Sequence, residues 1–284
     1  MEKTSRPWRS VLYLPASNAR AIEKARSIAA DAIIFDLEDA VAPDQKVSAR
    51  AQLAGKLDRG GFGNRACLVR INGLESEWGA DDVSAAAGMA CDGVLVPKVD
   101  APEDLDGVSA DAGHPLWAMI ETPKSILNVA RIAAHPDLDG LVLGTNDLAK
   151  DLGARFRSDR LPMMFALQAS LLGARAAGKL CIDGVYNAFK DDDGLRAECE
   201  QGRDLGMDGK TLIHTAQLAI ANEVFGPSED EIATARRQIE AFDEAMAAGQ
   251  GVAVLDGRIV ENLHAEMAKA LLNKAQAIAE METT

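Results

Sequence analysis
The chain has 284 residues, a formal net charge of −14 at pH 7 and 48% apolar content. That supplies one large α/β barrel or two modest domains, with a core large enough to need no staples. The acidity argues against nucleic acid as a partner, because no basic stripe stands against phosphates, but an anionic small molecule stays open, since a pocket's local charge can oppose the global one.

No apolar run approaches a membrane span and the N-terminus lacks a signal-peptide core, so no membrane association is expected. Cys67, Cys91, Cys181 and Cys199 lie far apart without CxxC spacing. They read as reduced structural thiols in a cytoplasmic setting.

Residues 10–15 form a predicted strand closed by Ala16-Ser17-Asn18, and a helical pattern follows over 19–30. A second strand, 31–35, ends at Asp36-Leu37-Glu38-Asp39. Pro43 opens a helix to about Asp58, as proline does in a first turn. A third strand, 66–71, carries Arg70, and a helix is predicted over 77–90. The fourth strand, 93–98, ends at Lys98, with a short helix from about Pro102. The fifth, 115–120, ends at Glu121, and Pro123 opens a helix to about His135. Leu141-Val142-Leu143 is a buried strand running into Gly144-Thr145-Asn146-Asp147, which places Asp147 at its C-terminal tip. A helix lies within 159–178. The seventh strand, 180–183, ends near Tyr186-Asn187, residues 194–206 are helical, and 209–214 is the eighth strand, ending at His214.

Eight strands alternating with helices match a (β/α)₈ TIM barrel, since an open doubly wound sheet rarely repeats the unit so often. No GxGxxG follows the first strand, which lowers the dinucleotide-binding alternative. Residues 1–227 are therefore assigned to the barrel and 228–284 to a C-terminal extension. Ser228 with Glu231 forms a capping box for a helix to about Ala248. Residues 252–260 read as a hairpin turning at Asp256-Gly257, and a last helix covers about 263–280.

The charged residues gather at predicted strand ends: Asp36, Glu38, Asp39, Arg70, Lys98, Glu121, Asp147, Asp183 and His214. In a parallel barrel that rim is where chemistry sits. Glu121 and Asp147 are the candidate metal ligands, because two convergent carboxylates with open positions suit Mg²⁺, with Mn²⁺ as its substitute. The bland alternative is helix N-capping; Thr122 is the better cap, which leaves Glu121 free. Arg70 in an apolar strand needs a partner. It either pairs with Asp36 or Glu38 or forks a substrate carboxylate. Asp36, Glu38 and Asp39 would position that arginine or hold metal-bound water rather than ligate directly. His214 either binds substrate or caps a helix, and His114 and His135 read as structural.

Nine segments carry a resemblance across almost the whole chain: SVLYLPASN (10–18), DAIIFDLEDAVAPDQK (31–46), LVRINGL (68–74), DGVLVPKV (92–99), MIETPKSILN (119–128), LVLGTNDLAKDLG (141–153), GKTLIH (209–214), ANEVFGPS (221–228) and GRIVENLH (257–264). The chain resembles the citrate lyase β-subunit-like, or HpcH/HpaI aldolase, family in its CoA-ester lyase branch. The resemblance implies a TIM barrel, Mg²⁺ held by Glu121 and Asp147, and reversible C–C cleavage of a 3-hydroxyacyl-CoA of the L-malyl-CoA or β-methylmalyl-CoA type to glyoxylate and an acyl-CoA. It implies that Arg70 grips the carboxylate of the glyoxylate-like 2-oxo acid and that Tyr13, Lys24, Ile213 and His214 line the CoA site, with Asn146 on the substrate. It also implies that the extension is a lid in a homotrimer or hexamer, with Glu261 acting as an acid on a neighbouring subunit's substrate.

The pattern departs from malyl-CoA lyases at Ala16, Asn18, Thr145-Asn146, Thr215-Ala216 and Glu261. GTNDLAK and GVYN (184–187) resemble a branch that includes malyl-CoA thioesterases, so hydrolysis to malate and CoA is the alternative. A citryl- or citramalyl-CoA lyase working as a citrate lyase β-like subunit is a further one.

Overall fold
The computed structural model of the chain describes residues 6–283. These residues fall into two compact units, one of Trp8–Asn222 and the other of the residues from Glu223 on together with Arg6 and Pro7. The cut between Asn222 and Glu223 lies inside a helix, slightly ahead of the boundary expected at 227.

In the first unit eight parallel strands close into a barrel, each pairing with its sequence neighbours and β8 with β1. They are β1 (Ser10–Pro15), β2 (Ala32–Asp36), β3 (Ala66–Arg70), β4 (Gly93–Val96), β5 (Leu116–Ile120), β6 (Leu138–Leu143), β7 (Leu180–Asp183) and β8 (Gly209–Leu212). The helices between them are α1 (Ala19–Lys24), α2 (Lys46–Asp58), α3 (Gly79–Ala86), α4 (Glu103–Ala112), α5 (Pro123–Ala133), α6 (Thr145–Leu152), α7 (Met164–Ala176) and α8 (Asp192–Leu205), with α9 (Leu218–Phe225) after β8. The predicted barrel is therefore the observed one. The helix expected over 19–30 ends at Lys24, where turns carry the chain into β2.

Side chains alternate across each strand, so one residue in two faces the barrel interior. Trp8, Val11, Ala32, Ile34, Ala66, Leu68, Leu95, Trp117, Met119, Val142 and Ile182 form that interior cluster. Trp8 and Trp117 meet with ring centroids 4.6 Å apart. The next interior position on four strands, two residues toward the C-terminal end, is polar: Tyr13, Asp36, Arg70 and Glu121. Apolar layers thus give way to a polar one at the rim that parallel barrels use for chemistry.

The second unit contains α10 (Glu229–Ala247), a hairpin of β9 (Ala253–Leu255) and β10 (Arg258–Val260), and α11 (Asn262–Glu282). Ser228 caps α10 in the predicted box with Glu231. The hairpin turns at Asp256-Gly257, both with positive φ, as a two-residue type I′ turn requires. Phe242, Ala245, Ala253, Val260 and Ala265 form its small core. Among the described residues no helix is long and apolar enough to cross a membrane.

Candidate active site
A cavity of about 290 Å³ opens among the strand-to-helix connections and is lined by Tyr13, Asp36, Asp39, Arg70, Met119, Glu121, Asn146, Asp147 and Ile213, with Thr145 and Val185. The two expected metal ligands therefore face one space. Glu121 follows β5 and is 1% exposed. Thr122 caps α5, accepting from the Ser125 amide, so the cap role falls on the residue after Glu121, as the sequence suggested. One Glu121 oxygen accepts the Lys98 backbone N–H at 2.7 Å. Gly144 passes directly over this carboxylate, and any side chain there would collide with Glu121.

Asp147 corrects the sequence reading in one respect. It does not sit at a strand tip: it lies in the first turn of α6, a helix the sequence did not reveal. The acidic side chain in a first turn suits the positive end of the helix.

Arg70 adopts the ion-pair arrangement. Its Nε and Nη2 grip both oxygens of Asp36 at 2.8 and 2.6 Å, so that edge of the guanidinium is not offered to a substrate. Nη1 meets Glu38 at 2.9 Å and Asp39 at 3.3 Å, and the Tyr13 ring lies 5.1 Å from the guanidinium carbon. Asp36 also accepts from the Glu38 and Ala40 amides, which fills its lone pairs and makes it an anchor for the arginine rather than a ligand.

Electrostatics concentrate in the same place. Burial raises the Glu121 carboxyl to about 7 against the opposing Lys98 N–H, with Glu38 and Asp147 adding to the rise. Burial likewise pushes Glu38 up to about 7, although Arg70 draws it down. The Tyr13 hydroxyl is driven above its ordinary range by burial, and the Arg70 guanidinium is held cationic by Asp36 despite its own burial. The Lys98 ammonium stands 3.6 Å from Glu38.

The other expected residues are less concentrated. Ile213 lines the cavity, but His214 caps a 3₁₀ turn, accepting from the Ala216 amide, and stacks on Phe189 at 4.6 Å. The capping contact is thus present and occupies Nδ1. Lys24 ends α1, exposed, and is not among the cavity's lining residues. Asp183 leaves the rim group altogether: it is buried against Arg160 at 2.7 Å and Lys210 at 3.2 Å, with Glu198 alongside. Glu261 lies in the second unit just before α11, its amide donating to His264 Nδ1. Sequence reasoning missed Met119, whose sulfur lies 3.6 Å from Arg70 Nη1, and Asn187, which bonds Asn146. Asn187 stands at the expected end of the seventh strand and in the quoted GVYN segment, with no role read for it there.

The donor set suits a hard cation. Carboxylate oxygens dominate it, and a buried carboxylate such as Glu121 is costly without a charge partner. No cluster of three His, Cys, Asp or Glu forms a closed cage among the described residues. An ion held by Glu121 and Asp147 would keep positions for water and substrate oxygens, as Mg²⁺ does.

The model of the HpcH/HpaI aldolase/citrate lyase family matches residues 9–215. The chain belongs to this family. It is 59% identical to a (3S)-malyl-CoA thioesterase of Cereibacter sphaeroides, with 98% of each chain covered. It is 35% identical to the L-malyl-CoA/beta-methylmalyl-CoA lyase of the same organism, with 96% of each covered. Among solved structures it resembles CitE from Mycobacterium tuberculosis in complex with magnesium, acetoacetate and coenzyme A, at 29% identity and a TM-score of 0.81, covering 96% of this chain and 99% of that one. The barrel is thus that of an enzyme in the CoA-ester lyase and thioesterase family, and the thioesterase relatives match it more strongly than the lyase.

Proposed function
We propose that this protein hydrolyses a malyl-CoA-type thioester to malate and CoA, with Mg²⁺ held by Glu121 and Asp147. The reading reverses the order expected from sequence, where C–C cleavage came first. Its main support is the 59% identity with (3S)-malyl-CoA thioesterases over nearly the full chain. The magnesium assignment draws on the convergence of Glu121 and Asp147 on one cavity and on the magnesium in the related CitE crystal structure.

Mg²⁺ held by Glu121 and Asp147 would supply a Lewis acid for substrate oxygens. The chain does the rest. Asp36 orients Arg70, whose Nη1 edge takes the malyl carboxylate in competition with Glu38 and Asp39. Glu38, its carboxyl near 7, can take or release a proton beside that edge. Tyr13 closes the other face of the guanidinium. In the reaction the oxygen of water adds to the thioester carbon. The C–S bond then breaks, sulfur leaves with the bonding electrons, and it takes up the proton that water has lost.

Tyr13, Ile213, His214 and Lys24 as the CoA side, a homotrimer or hexamer, and Glu261 acting on a neighbouring subunit's substrate complete the proposal. Cleavage to glyoxylate and acetyl-CoA is the second reading, favoured by the lyase relative at 35% identity. The deciding experiment incubates purified protein with malyl-CoA and Mg²⁺ and measures malate against glyoxylate. Malate with free thiol supports hydrolysis; glyoxylate without malate transfers the assignment to the lyase.

A further inference from the structure
β6 and β7 are neighbours in the barrel, and the connections leaving their C-terminal ends are tied by one side-chain pair. Asn146 Nδ2 donates to Asn187 Oδ1 at 3.2 Å, and Asn187 Nδ2 donates to Asn146 Oδ1 at 2.8 Å. The two segments come close nearby, since a side chain on Gly184 would run into the Thr145 side chain and stand 3.0 Å from the Leu143 carbonyl oxygen. Asn146 lines the cavity that holds Glu121 and Asp147, one residue before Asp147. Asn187 lines a second cavity of about 430 Å³, and Thr145 and Val185 line both. The amide pair therefore stands at the partition between the two spaces.

Both asparagines are exposed, so the pair adds little to folding. What it does is fix two amide planes. A reciprocal pair engages one N–H and one oxygen lone pair of each amide and leaves one of each. A donor and an acceptor held side by side are what a bridging water requires. Most other polar groups in the cavity are charged: Asp36, Asp39, Arg70, Glu121 and Asp147. Those suit the hydroxy-acid end of a malyl group, whereas the attacking water is neutral.

We infer that the Asn146–Asn187 pair holds the water that attacks the thioester, with Asn187 as the positioning residue for Asn146, and so directs the site toward hydrolysis. The inference rests on the thioesterase reading. Cleavage of the C–C bond consumes no water: its electrons pass to the acyl-CoA carbon as glyoxylate departs. A group that only orients water therefore acts on one outcome and not the other.

The test uses the full-length protein with malyl-CoA and Mg²⁺, reading malate, glyoxylate and KM in parallel. Asn187→Ala should lower kcat for malate at least about tenfold while KM, melting temperature and any glyoxylate rate stay within about twofold. Asn146→Ala/Asn187→Ala should be no worse than Asn146→Ala alone, because the two act as one unit. Asn187→Gln, which can restore the reciprocal bonds, should recover part of the loss. Undiminished malate formation in Asn187→Ala overturns the inference and leaves the thioesterase reading intact. A rise in KM or an equal loss of both products also overturns it, by reducing the pair to a loop brace. Glyoxylate without malate from the unaltered protein would instead remove the thioesterase reading itself.

Discussion
Lys98 gives its backbone N–H to Glu121 from a left-handed conformation, with φ at +51° and an N···O distance of 2.7 Å. A lysine at positive φ carries a steric cost of roughly 1–2 kcal/mol that a glycine does not. The turn aims a fixed dipole at the one carboxylate beneath Gly144, so the strain is tied to the site.

Replacing Lys98 with glycine should therefore leave stability unchanged or raise it by up to about 1 kcal/mol, whereas Lys98→Val should lower it by about 1–2 kcal/mol. Urea titrations of the three proteins check this. A glycine variant clearly less stable than the original would show that the ammonium near Glu38, rather than the backbone, sets the energetics here.

Glu38 and Glu121 both sit near 7, above the usual carboxylate value. Between the ordinary value and 7 the folded protein binds more protons than the unfolded chain, so metal-free stability falls as pH rises across that window. Their contribution is fully present below about pH 4.5 and gone above about pH 7, an effect of a few kcal/mol for the two together. A cation bound to the ionised form has the opposite sign. In thermal melts, EDTA-treated protein should lose stability from pH 5 to 8, and added Mg²⁺ should restore it at pH 8 but hardly at pH 5. A Mg²⁺ effect of equal size at both pH values would count against Glu121 as a ligand.

Much of this arrangement could be read from residue order, because strand period two fixes which side chains turn inward. Val11 and Tyr13, Ile34 and Asp36, Leu68 and Arg70, and Met119 and Glu121 share their faces, so apolar core residues announce the polar layer above them. The same parity misplaces Asp183 when ignored. Ile182 is the inward residue of β7, so Asp183 turns the other way, toward Arg160 and Lys210. The short α6 was hidden because Leu148 and Ala149 are its only buried residues, too few to set a helical period. The Asn146–Asn187 pair was out of reach for another reason: it joins the first turn of α6 to the segment after β7, 41 residues on, through side-chain orientation, which no spacing encodes.

Removing one candidate ligand separates binding from folding. Glu121→Gln keeps the shape and a partner for the Lys98 N–H but removes the buried negative charge. It should be at least as stable as the original at pH 8, bind Mg²⁺ too weakly to detect by calorimetry, and lose roughly a hundredfold or more in turnover. Asp147→Asn should behave likewise in binding. EDTA should abolish turnover of the original and Mg²⁺ should restore it. Full activity in Glu121→Gln would remove the two-carboxylate site.

The Arg70–Asp36 pair makes a separable claim about stability. Both groups are buried, the contact is bidentate, and Asp36 also holds the amides of Glu38 and Ala40. Breaking such a pair from one side strips Nε and Nη2 of their partner, leaving the buried guanidinium only Glu38 and Asp39 at Nη1, and should cost about 3–5 kcal/mol, so Asp36→Leu should unfold at much lower denaturant. Removing both charges is cheaper than the sum: Asp36→Leu/Arg70→Met should regain at least about half of that loss, because the stranded guanidinium is gone and Glu38 keeps Lys98 at 3.6 Å. Neither variant should turn over substrate, since both disable the guanidinium edge assigned to the malyl carboxylate. Denaturant midpoints that simply add would mean the two residues act independently, and that the Glu38 and Asp39 contacts at Nη1 suffice for Arg70.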